Sequence, residues 1–243
     1  MFKKTLIATA LLAGSSAALA EISGNVTLTT DYIFRGVSQT DNQLAIQGGL
    51  DYAHDNGLYV GTWASNVDSS FFDNGRDPQT ELDLYAGYSG ELNNGVGYDI
   101  GYIRYEYPSA DNVDTNEVYL SGSYGAFSAS VNYSDELQFI LSDQSAWYVA
   151  AGYDMDLPFA GLALSLHVGH SFGDAFDVGP SDVNDSGLGD SYTDWSVGVS
   201  KSVYGVDLGL TYTDLTDIEF SDGTECKSDW CDSKIVFSIS KSL

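Results

Sequence analysis

From Val26 onward the chain alternates with a period of two: Val26, Leu28, Thr30, Tyr32 and Phe34 on one parity, Asn25, Thr27, Thr29, Asp31 and Arg35 on the other. Such a period means an extended strand with one apolar face and one wet face. The pattern recurs along the sequence. Leu44, Ile46, Leu50 and Tyr52 oppose Gln43, Gln47 and Asp51, and Leu82, Leu84 and Ala86 oppose Glu81 and Asp83. Leu162, Leu164, Leu166 and Val168 oppose Ser165, His167 and Gly169. The scheme continues to the C-terminal Ile235, Phe237 and Ile239, giving about twelve strand candidates of about ten residues, the length a tilted membrane strand needs.

Alternation alone suits a soluble sandwich as well as a membrane barrel. The connections discriminate, because short ones ("HDNG", "GELNNG", "YGA", "DMDLPFAG", "VYG") alternate with long ones, among them "RGVSQTDN" and "GDAFDVGPSDVNDSGLGDS". A barrel with its N-terminus in the periplasm has short periplasmic turns and long extracellular loops in that order. Pro78, Pro108, Pro158 and Pro180 all fall in connections. Tyr32, Tyr52, Tyr88, Tyr133, Tyr153 and Tyr212 lie near strand ends, where an interfacial girdle belongs, and Lys201 and Lys241 sit where they can snorkel. The expected fold is all-β: a single antiparallel transmembrane β-barrel of about 12 strands.

The N-terminus is consistent with that destination. Lys3 and Lys4 precede the short apolar run "TLIATALLAG" and "ALA" at residues 18–20, the pattern of a secretory signal peptide. Residues 1–20 are therefore read as the leader and 21–243 as the barrel, exported through the periplasm to the cell outer membrane. With 35 acidic residues against nine basic ones the chain repels nucleic acid and anionic ligands and favours cations. Cys226 and Cys231 in "CKSDWC" form the expected local disulfide of an oxidising compartment, closing a small loop.

The segments "GNVTLTTDYIFRGVSQTDNQLAIQGGLDYAH", "GLYVGTWASNVD", "ELDLYAGYSG", "VGYDIGYIRYEYP", "SVGVSKSVYGVDLGLTYTD" and "FSISKSL" together resemble the TorF-type porin family, also called Gcw_chp. The likeness runs over the whole of 21–243 and implies an outer-membrane β-barrel with pore activity. It brings no catalytic residues and no substrate. Where outer-membrane chains usually end on an aromatic residue, this one ends on Leu243.

Enzyme-like patterns carry little weight. "GHSFG" around Ser171 has the spacing of a hydrolase elbow, but no helix follows to form one. Ser165 and His167 share the wet face, whereas a lipase pair on a barrel faces lipid, and His170 with Asp174 and Asp177 reads as a solvated rim. The acidic loop "PSDVNDSGLGD" suits weak divalent-cation binding and would face lipopolysaccharide and outer-membrane lipid, although it lacks EF-hand spacing. No catalytic, cofactor or metal-ligating set is assigned.

The wet parity carries many small residues, Gly49, Gly87, Gly101, Ser121 and Gly152 among them, which favours an open narrow pore over a filled one. Its expected pore-lining charges are Asp31, Arg35, Asp51, Glu81, Asp83, Asp99, Glu117, Asp154, Asp194 and Asp207. Arg35 should project inward from the extracellular end of the first strand toward acidic neighbours, including Asp51; Arg104 falls on the apolar parity, so its strand leaves lipid there or a bulge turns it. The reading is a porin for passive diffusion of small cationic or neutral solutes. The alternatives are an outer-membrane hydrolase and a non-conducting structural or adhesion barrel.

Overall fold

The computed structural model describes residues 21–68, 78–108, 110, 113–137, 144–176, 191–216 and 232–243. The leader, the cysteines at 226 and 231 and the acidic loop at 180–190 lie outside the described residues. Twelve strands close into one antiparallel barrel. They are β1 (Glu21–Thr29), β4 (Ala45–Ala53), β5 (Leu58–Asn66), β6 (Thr80–Glu91), β7 (Gly97–Glu106), β8 (Thr115–Tyr124), β9 (Phe127–Ser134), β10 (Ala146–Asp156), β11 (Leu162–Phe172), β12 (Ser191–Val203), β13 (Val206–Thr216) and β14 (Lys234–Ser242). Each pairs with its neighbour in sequence, and β14 closes on β1 through Val26↔Lys241 and Leu28↔Ile239. The two remaining strands, β2 (Ile33–Phe34) and β3 (Val37–Ser38), form a separate small hairpin. No helix among the described residues is long and apolar enough to cross a membrane; the crossing is made by strands.

The alternation resolves as a membrane barrel requires. Ile22, Leu28, Ile46, Leu50, Val60, Leu84, Ile100, Val118, Leu120, Val168, Leu210 and Ile235 all face outward and are exposed. A continuous apolar belt of that extent would aggregate in water, so its solvent is lipid. A nine-residue strand such as β1, at ~3.3 Å per residue and tilted ~40°, rises about 23 Å, close to the thickness of an outer-membrane apolar band. Aromatic pairs mark both rims. Phe127–Tyr153 (4.8 Å between centroids) and Tyr88–Tyr98 (6.0 Å) lie at the short-turn end, Tyr133–Trp147 (4.6 Å) and Trp195–Tyr212 (5.4 Å) at the other. Tyr32 does not join this girdle: it is buried inside the barrel against Trp63.

The short turns are tight. His54 and Leu58 close one, Leu92 and Val96 another, and Tyr204–Gly205 turns between β12 and β13 with both φ angles positive, at 53° and 77°. Arg104 lies on a regular, unbulged β7, paired in register with Leu84 and Asn116. It is bound outside the barrel by Glu106 and Asp114, each at 2.7 Å. Arg104 thus faces outward with its charge paired, across from Leu84 at the edge of the apolar belt.

Candidate functional site: an inward hairpin and a tyrosine–carboxylate lumen

β1 stops at Thr29 rather than running on to Phe34. After a bend at Thr30 and Asp31 the chain turns into the barrel, and β2 and β3 form a hairpin joined by Arg35–Gly36. Both turn residues have positive φ, 48° and 81°, the arrangement of a type I′ turn whose twist matches that of paired strands. A glycine suits the second position. Arginine at the first is unusual, since a left-handed non-glycine residue costs about 1–2 kcal/mol. The expectation that "RGVSQTDN" is an outer loop, with Arg35 at the end of strand one, is corrected: the segment folds back into the lumen.

The base of the hairpin is fixed by Asp31. Its Oδ1 accepts hydrogen bonds from Ser38 Oγ (2.6 Å) and Thr40 Oγ1 (2.9 Å), while Gln39 N donates to Tyr32 O (2.7 Å). The tip spans the lumen. Arg35 Nη2 donates to Glu117 Oε2 on β8 at 2.5 Å, and the guanidinium lies 4.3 Å from the Tyr148 ring centroid and 4.8 Å from that of Phe34. On the other side Gly36 meets β12 and β13: a Cβ there would sit 2.1 Å from Leu215 Cδ2 and 2.7 Å from Asp194 Cβ. Burial works against the Arg35 charge, but Glu117 more than compensates and leaves its pKa above the ordinary arginine value. Asp51 is not its partner, contrary to the expectation from sequence; Asp51 accepts from Tyr85 Oη at 2.5 Å.

The inner wall is built from tyrosine hydroxyls donating to carboxylates. Tyr32 and Tyr107 both donate to Glu81 at 2.7 Å, and Tyr59 donates to Asp99 at 2.7 Å while touching the Tyr119 hydroxyl. Glu117 accepts from Asn132 Nδ2 (2.7 Å), and more distantly from Tyr105 Oη and Ser134 Oγ, both at 3.4 Å. Asp194 lies 3.0 Å from His167 Nε2 and accepts from Tyr148 Oη at 3.3 Å. Asp83 is buried, and its Oδ1 has no hydrogen-bond partner among the described residues. Asp154 is exposed at the short-turn end of β10, and Asp207 is half-buried at the start of β13. Two cations face this wall among the described residues, Arg35 and Lys234.

The small residues of the wet parity do not mark empty space. Tyr85 lies over Gly61, Tyr59 over Gly87, Tyr119 over Gly101 and Tyr148 over Gly169; an added Cβ would come within 2.0–2.4 Å of each tyrosine. Glycine leaves room for the hydroxyl end of a neighbouring tyrosine, and these rings take up lumen space that the glycines alone would leave open. Together with the hairpin they make the buried cluster of Tyr32, Tyr85, Ile103, Tyr105 and Tyr107, packed with Phe34 and Trp63, inside the barrel. A small pocket beside the hairpin, with room for about one water, is lined by Phe34, Gln39, Glu81, Tyr105 and Tyr107. Tyr85, Tyr105, Tyr107 and Tyr119 share the parity of Asp83, Asp99 and Glu117, the signal in the sequence that they are lumen groups; Tyr32 carries no such signal.

Among the described residues no hydrogen bond joins Ser165 to His167 or His170 to Asp174. His167 contacts Tyr148 and Asp194, and His170 Nδ1 lies 3.0 Å from Thr193 Oγ1. Asp174 accepts from Ser145 Oγ at 3.3 Å, and Asp177 lies outside the described residues.

Among solved structures, a KdgM porin is similar over 91% of this chain and 99% of its own, with 7% identity and a TM-score of 0.55. A KdgM porin in complex with disordered oligogalacturonate is similar over 91% and 98%, with 8% identity and a TM-score of 0.53. At such identities the likeness establishes the fold. No curated protein matches the sequence. Residues 13–243 match the family described as "Bacterial protein of unknown function (Gcw_chp)", and the chain belongs to that family.

Proposed function

We propose that the protein is a porin-like channel of the outer membrane, a narrow passage for small cationic or neutral solutes rather than an enzyme. The observation that carries this reading is the lumen: a closed barrel whose inward wall sets Asp51, Glu81, Asp83, Asp99, Glu117 and Asp194 against two cations among the described residues. Carboxylates on a low-dielectric wall focus field along the axis, raise local cation concentration and repel anions. The hairpin tip then sets the narrowest point, with Asp31 holding its base and Arg35 its apex. Asp154 and Asp207, nearer the short-turn end, extend the acidic path toward the periplasm. Oligogalacturonate, in complex with one similar barrel, is a polyanion; the acidic wall here suits the opposite charge.

Swelling of liposomes carrying the purified protein tests the reading. Small neutral sugars and monovalent organic cations should enter, and dicarboxylates of equal size should enter markedly more slowly. Equal rates for anions and cations, or no swelling beyond that of protein-free liposomes, would refute it.

A further inference from the structure

Arg35 is bound as a ligand is bound. Its guanidinium sits over the Tyr148 ring, flanked by Phe34, and donates to a carboxylate that three wall side chains also bond. Glu117 is 3% exposed and receives Asn132 Nδ2 at 2.7 Å, with Ser134 and Tyr105 beyond. Tyr148 is fixed in turn by Asp194 and by its seat over Gly169. A planar, delocalised cation stacked on an aromatic face and hydrogen-bonded to a carboxylate is what such a surface recognises; a compact ammonium uses the ring and the fork less well.

The occupant is tethered through a strained link. Arg35 sits at φ 48°, where asparagine or glycine is the usual choice, so the chain holds the side chain in place against its own backbone preference. That strain weakens the internal ligand relative to a free one of the same chemistry.

We propose that Glu117 and Tyr148 form a guanidinium-recognition site in the lumen wall, filled by Arg35 as a built-in stand-in, for which guanidinium- or amidinium-bearing organic cations compete. This names the solute class favoured by the channel reading and rests on that reading for permeation, though not for binding. Displacing Arg35 would free the tip of the hairpin from β8 and widen the passage beside it.

The test compares the wild type, Arg35→Ala and Arg35→Ala/Glu117→Gln, each checked for heat-modifiable gel mobility. The probes are guanidinium chloride and methylammonium chloride at millimolar levels. In Arg35→Ala, guanidinium should reduce potassium current saturably and raise the temperature of barrel unfolding in detergent, at concentrations about tenfold below those of methylammonium. The wild type should need about tenfold more guanidinium, because its site is filled, and the double variant should lose both effects. Equal sensitivity of Arg35→Ala and the double variant, or no preference for guanidinium over methylammonium, would overturn the proposal. If Arg35→Ala does not fold alone, guanidinium but not methylammonium must restore folding; failure of that rescue also overturns it. A thermal effect without conduction would retire the channel reading and leave the site standing. Conduction without any guanidinium effect would do the reverse.

Discussion

Gly36 shows how tightly the lumen is specified at the level of one residue. Its φ of 81° and the 2.1 Å separation between an added Cβ and Leu215 Cδ2 leave no room for a side chain. Gly36→Val should therefore push the tip out of its seat, and the single-channel conductance of the variant should exceed that of the wild type. Glu117→Gln removes the charge facing Arg35 and leaves the guanidinium buried without its counter-ion, a loss of roughly 3–5 kcal/mol seen as earlier unfolding in urea. Asp83 behaves differently, because its buried Oδ1 has no hydrogen-bond partner among the described residues. Asp83→Asn should cost little stability, read as a nearly unchanged midpoint in the same urea unfolding assay. A fall of several kcal/mol on that substitution would mean the carboxylate has a structural partner.

At the level of elements, the strands were legible and the hairpin was not. Period-two patterning places Leu84, Val118 and Ile235 outside and Glu81, Asp83 and Glu117 inside because a one-residue slip would exchange the whole set. The same parity runs through Tyr32 and Phe34 without a break, and nothing in alternation says that β1 ends at Thr29. The warning lay in a different signal, a two-residue Arg–Gly connection between Ile33-Phe34 and Val37-Ser38, which is hairpin chemistry inside an apparent loop. The glycines of the wet parity misled for a related reason: side-chain size was read one strand at a time, while Gly87 is filled by Tyr59 of the adjacent strand. Gly87→Ala should thus destabilise by about 1–3 kcal/mol through overpacking, and Gly87→Ala/Tyr59→Leu should recover part of that loss in the same denaturation assay. The disulfide proposed for Cys226 and Cys231 belongs to the last long connection, outside the described residues. Replacing both with serine should leave heat-modifiable mobility unchanged.

The whole molecule inverts the usual placing of a core: exposed leucine and isoleucine outside, packed tyrosine and paired carboxylate inside. That inversion makes sense only with lipid as the outer solvent, so the protein should fractionate with outer membranes and migrate faster unheated than boiled. The interior then divides in two, a half narrowed by the inward hairpin and a half toward the short turns lined by Asp51, Asp99 and their tyrosines. If the acidic wall governs passage, its sign must be visible in selectivity when ionic strength is low enough to keep the Debye length at about 10 Å or more. The most direct measurement is the reversal potential of the purified wild-type barrel in a planar bilayer under a potassium chloride gradient, repeated on Arg35→Glu. Cation selectivity in the wild type, strengthened in the variant, is the predicted result; anion selectivity in the wild type, or a barrel that passes no current, would contradict it.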